Sequence, residues 1–148
     1  MYEYRAKIIK IVDGDTVDVD IDLGFDVILS NQRVRLHGID TPESRTRDAE
    51  EKEFGLLSKK FLTSFLPKGS FQTLVTEVDR DGDDARGKFG RILGKFKVYD
   101  AKRDRETTIN ELMIAEGYAV AYHGQNKELV QEQHMQNREI LRGQGLVK

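Results

Sequence analysis

The feature that most constrains this chain is a pair of alternating, β-branched runs, "YRAKIIKIV" (residues 4–12) and "TVDVDIDL" (16–23), joined through Asp13-Gly14. Asp-Gly between two such runs is a strong hairpin signal. In the second run Val17, Val19, Ile21 and Leu23 form an apolar face and Asp18, Asp20 and Asp22 face water, so the register is set by which side is buried. Asp15 falls on the apolar face, where an ionised carboxylate is costly without a partner or cation. Finishing a turn and building a site both explain it, and both readings stand at this point.

Gly24 bends the chain, "FDVIL" (25–29) extends it, "SNQ" interrupts, and "RVRLHGI" (33–39) completes a third strand, one bent piece or two short ones. Pro42 biases Thr41 away from helix and ends it. Asp48 with Glu51 reads as a capping box, followed by Phe54, Leu57, Phe61, Leu62 and Phe65 at helical spacing, with Ser58 at the edge of the stripe. "LPKG" stops this helix. Residues 71–78 and 88–99 read as two further strands, Thr108 caps a short helix closed by Gly117, and 127–142 reads as a final helix. Five strands and about three helices fit an α+β, mainly β chain: a five-stranded, partly open barrel of the OB type, with an α+β sandwich as the other arrangement.

The 148 residues suit one domain, residues 1–148. No apolar run approaches a membrane span, and the first residues lack the pattern of a signal peptide, so a cytoplasmic protein with no membrane partner is expected. There is no Cys, so a metal would need oxygen or imidazole ligands. A net charge of −2 argues against electrostatic coating of nucleic acid. It averages an acidic stretch (Asp13 to Asp26) with a basic one (Arg86 to Arg105).

A second acidic turn, "IDTPE" (39–43), places Asp40 and Glu43 around Thr41-Pro42, whose extended backbone can offer a carbonyl beside the carboxylates. With Asp15 this makes a plausible Ca²⁺ site, and Arg35 lies nearby. "DRDGDDARGKFG" imitates a calcium loop but has Asp84 and Gly90 where an EF-hand needs Gly and Glu. His37, His123 and His134 stand at no metal spacing and read as structural or exposed.

Together "DGDTV" (13–17), "RLHGIDTPE" (35–43) and "KFGR" (88–91) resemble the three signature segments of the staphylococcal nuclease family, in order, within a likeness running from about residue 4 to 142. The resemblance implies an OB-fold barrel and a Ca²⁺-dependent phosphodiesterase of DNA or RNA that leaves 3′-phosphate ends; a monomer is expected. The resemblance makes Asp15, Asp40 and the Thr41 carbonyl metal ligands, with Glu43 orienting or deprotonating water. Arg35 and Arg91 hold phosphate, and Lys88, Phe89 and Tyr122 contact substrate. Phe89 departs from the Tyr common in the family, and the negative net charge departs from its strongly basic members. Non-catalytic barrels of the family that bind nucleic acid or protein are the alternative, but they need no carboxylate pair with Glu43 and two arginines.

Overall fold

In the computed structural model the described residues are 2–76 and 92–146. Lys88, Phe89, Arg91 and the imitation calcium loop therefore lie outside them. The elements in order are β1 (Tyr2–Asp13), β2 (Thr16–Asp22), β3 (Ile28–Leu36), β4 (Ile39–Asp40), α1 (Ala49–Phe65), β5 (Phe71–Thr76), β6 (Ile92–Asp100), β7 (Arg105–Thr108), α2 (Ile109–Ala115), β8 (Val120–Ala121) and α3 (Lys127–Gly143).

Six strands form one sheet in the order β3-β2-β1-β5-β6-β7, and a parallel pairing of β3 with β6 closes five of them into a ring. This is the OB-type barrel expected from the sequence. Closure removes the sheet edges that would otherwise be left unpaired at β3 and β6. Inside pack Ala6, Ile8, Val17, Val19, Ile21, Val34, Leu36, Leu74 and Phe96, with Leu62 and Leu66 at the end of α1 and Ile109, Leu112 and Met113 of α2 joining the same core. In β1 the inward residues change parity from Ala6 and Ile8 to Ile11, because the β1–β2 register shifts between Ile8 and Lys10. A bulge of this kind adds a residue and turns the following side chains to the other face.

Local departures from the expected pattern have identifiable causes. Leu23 leaves the apolar face and is exposed, and residues 25–27 are a turn, not strand: Phe25 and Asp26 have φ of 55° and 61°. The turn closes on itself, since Leu23 N–H donates to the Val27 carbonyl and Asp22 accepts from Gly24 N–H. The third strand ends at Leu36, Gly38 adopts φ 79°, and residues 39–40 pair antiparallel with residues 120–121. Asp40 is thereby held outside the barrel ring against the segment between α2 and α3.

Helix α1 begins as the sequence predicts, with the Asp48 carboxylate accepting from the N–H groups of Glu50 and Glu51. Ser58, expected at the edge of its stripe, is instead buried and donates to the Tyr118 carbonyl at 2.6 Å. The reason is the close approach of two backbone segments to this helix. A Cβ on Gly14 would sit 2.9 Å from Ser58 Cβ, and one on Gly55 would sit 2.4 Å from the Glu43 carbonyl oxygen. Gly14 is not at positive φ. The hairpin needs glycine there because a helix packs on its tip, not because the turn requires a left-handed residue.

Gly55 supplies a test of this packing. In an unobstructed helix interior, Gly→Ala stabilises by about 0.5–1 kcal/mol. Here the added methyl meets backbone, so Gly55→Ala is expected to destabilise the protein in urea denaturation. A stabilised variant would show that the segment at Glu43 is not seated on α1.

Candidate active site: an acidic pit beside a polar groove

The β1–β2 hairpin and the segment following β4 meet above α1, and their side chains line a pit formed by Asp13, Asp15, Thr16, Arg35, Asp40, Thr41, Pro42 and Glu43, about 190 Å³ in volume. The hairpin loop residues are Gly14 and Asp15, one position later than the Asp13-Gly14 of the sequence reading. Asp15 thus stands at the turn and Asp13 ends the strand. Leu36 N–H donates to the Asp15 carbonyl at 2.8 Å, locking the turn to the end of β3.

Each acid has defined partners. Asp15 accepts from the Thr16 hydroxyl on Oδ1 (2.9 Å) and faces Arg35 Nη1 with Oδ2 (3.2 Å). Asp40 points Oδ1 toward Arg35 Nη2 (3.8 Å), while its Oδ2 lies 2.7 Å from Nε2 of His134. Arg35 is mostly buried, lies between the two carboxylates and donates to the Leu36 carbonyl at 3.1 Å. Asp13, on the pit wall, is engaged by the buried Ser44 hydroxyl and by Arg45, fastening the segment after Pro42 to the hairpin. Thr41 is buried directly behind Gly14.

Glu43 stands at the mouth of the pit. Its carboxyl is raised above the ordinary glutamate range, first by partial desolvation and then by repulsion from Asp15, Asp13, Glu51 and Asp40. Burial and four neighbouring acids together disfavour its ionised form. The donor set fits a hard cation taking oxygen ligands: Asp15, Asp40 and the Thr41 carbonyl. Among the described residues no three His, Asp or Glu side chains converge at metal-ligand spacing, so side chains alone do not complete such a site.

The pit opens into a larger groove lined by Arg35, Asp40, Thr41, Glu43, Glu51, Tyr122, Gln125, Lys127, Val130, Gln131 and His134. Tyr122 is half-exposed on this wall, and its N–H donates to the Gly38 carbonyl. Tyr118 belongs to the core: it stacks on Phe61 with ring centroids 4.4 Å apart, and burial raises its phenol above the usual range. Asp15, Arg35, Asp40, Thr41, Glu43 and Tyr122 are therefore brought together.

Two residues here escaped the sequence reading. His134 is buried, 6% exposed, and touches Asp40 across a separation of 94 positions. Its signal was its register in α3, where it falls between Val130 and Arg138 on the face that ends in the buried Leu141. Gly55, which seats the Glu43 backbone, had no local signal beyond a glycine inside a helix.

A small closed β-barrel with an acid- and arginine-lined pit at one end, opening into a polar groove, defines the class as an OB-fold domain with a charged surface site. Residues 33–141 match the family model described as staphylococcal nuclease homologue, and the chain belongs to that family. It is 32% identical over 123 residues to a micrococcal nuclease of Shigella flexneri, covering 81% of this chain and 59% of that protein. It is 32% identical over 127 residues to protein ParB of Escherichia coli, covering 82% and 60%. Against the thermonuclease of Staphylococcus intermedius it is 34% identical over 84 residues, covering 57% and 43%. The chain thus spans about 60% of the length of the first two relatives.

The sign of the Glu43 shift gives a stability prediction. Because its folded-state pKa is raised, ionisation costs stability above that pKa and costs nothing below the unfolded value. In chelator, Glu43→Gln is expected to raise Tm at pH 7.5, with the gain shrinking toward zero as pH falls to about 4. A pH-independent difference between the two proteins would assign the effect to packing.

Proposed function

We propose that this domain hydrolyses phosphodiester bonds in DNA or RNA in a Ca²⁺-dependent reaction that leaves 3′-phosphate ends. The observation that carries this reading is the convergence of Asp15 and Asp40 on one pit, with Arg35 between them and Glu43 at its mouth. Family membership and the nuclease names of two relatives support it.

The chemistry matches the residues. Asp15, Asp40 and the Thr41 carbonyl would hold Ca²⁺, which when bound neutralises phosphate charge that otherwise repels the nucleophile. Glu43 accepts a proton from water as its oxygen attacks phosphorus. Attack forms the new P–O bond while the bond to the 5′ oxygen breaks, so the phosphate remains on the 3′ side. Arg35 contributes a planar fork of donors to the phosphate oxygens as charge develops. Tyr122, on the groove wall, offers an aromatic face to a neighbouring base. The same resemblance assigns phosphate contacts to Arg91 and Lys88 and stacking to Phe89.

Single-stranded DNA and RNA incubated with pure protein are expected to be cut with Ca²⁺ and left intact in chelator, with 3′-phosphate ends on the products. Asp40→Ala is expected to abolish Ca²⁺-induced thermal stabilisation. Arg35→Ala should lower kcat by about 10²-fold or more. Lys102→Ala, whose ammonium reaches Glu116 on the exposed surface, serves as the control. Binding of nucleic acid without cleavage under any Ca²⁺ condition would identify a non-catalytic module instead.

A further inference from the structure

We infer that His134 is a positioning residue for the metal site: it holds Asp40 so that one carboxylate oxygen is tied back and the other is presented to the cation. The inference rests on the proposed role of Asp40 as a ligand and adds a residue to it from a different helix.

The geometry has an internal parallel. Asp15 has Oδ1 occupied by the Thr16 hydroxyl and Oδ2 directed at Arg35. Asp40 has Oδ2 occupied by His134 and Oδ1 directed at the same guanidinium. Both carboxylates are thus constrained alike, one oxygen held by a neighbouring donor and the other facing Arg35 in the wall of the pit. An ionised aspartate only accepts hydrogen bonds, so His134 donates from Nε2, which fixes its protonation there. His134 is buried on α3, and this contact comes from a rigid element. Backbone pairing of Asp40 with Val120 holds the Asp40 main chain, and His134 holds its side chain.

Held this way, Asp40 is set to ligate through a single oxygen. Hard-cation sites owe their affinity to ligand number and rigidity, and loss of the partner that orients a ligand typically costs about 10–100-fold in metal affinity.

The test is calorimetric titration of Ca²⁺ into the metal-free protein, its His134→Met and His134→Gln variants and Asp40→Ala. Met fills similar space without a donor, whereas Gln retains an amide donor at comparable reach. His134→Met is expected to raise the Kd for Ca²⁺ by about 10–100-fold, with His134→Gln restoring most of the loss and melting curves in chelator confirming that each variant is folded. Should His134→Met fail to fold, His134→Asn, too short to keep the bond, takes its place. Equal affinity in wild type and the donor-free variant, or equal loss in the Gln and Met variants, would overturn the positioning role alone. Absence of Ca²⁺ binding by the wild type, or unchanged binding by Asp40→Ala, would instead remove the metal reading on which it stands.

Discussion

The arrangement depends on how closely α1 is approached by two pieces of backbone. The hairpin tip presses on it at Gly14 and Ser58, and the segment after Pro42 presses on it at Gly55. No side-chain carbon fits at either glycine, so the contacts are backbone against helix, with little freedom to adjust. Because the same helix receives both acidic segments, their separation is set by the helix surface. Ser58 also links α1 to the Tyr118 carbonyl, and Asp40 joins the assembly through β8.

Bringing several carboxylates together needs compensation, and the chain supplies it locally. Arg35 serves Asp15 and Asp40, while Ser44 and Arg45 serve Asp13. The acidic run farther along β2 is accounted for by the fold: Asp18 is clamped by Arg33 at 2.9 and 3.2 Å, Asp20 accepts from Asn31 N–H at a break in the β2–β3 register, and Asp22 closes the following turn. Within the basic stretch, Lys97 pairs with Glu3, and Lys102 and Arg103 reach Glu116. The segregation of charge seen along the chain is thus partly undone in space, which makes these residues poor evidence for a broad polyanion-binding face.

What could be read from the sequence follows the range of the interactions involved. The hairpin, the cap of α1 and the alternation of β2 each arise within a few residues and leave a periodic or turn signal. Residues 13–17 and 35–43 carried enough of a family pattern to bring Asp15, Arg35, Asp40 and Glu43 into one site. Three features were not legible in the same way. The extended reading of residues 25–29 held for Ile28 and Leu29, which open β3, but failed at 25–27, because the fully exposed Phe25 has no packing to outweigh the turn's own hydrogen bonds. The role of Gly14 looked like turn chemistry and is steric. The pairing of residues 39–40 with 120–121, and His134 behind it, joins segments that no local pattern connects.

That last pairing also has a consequence for the order of assembly. The barrel strands can exchange hydrogen bonds once residues 2–100 are available, but Asp40 gains its flanking strand and its histidine only from residues 120 and 134. During vectorial synthesis the acidic half of the centre therefore emerges well before the parts that restrain it. The centre is completed only when α3 docks and brings His134 to Asp40.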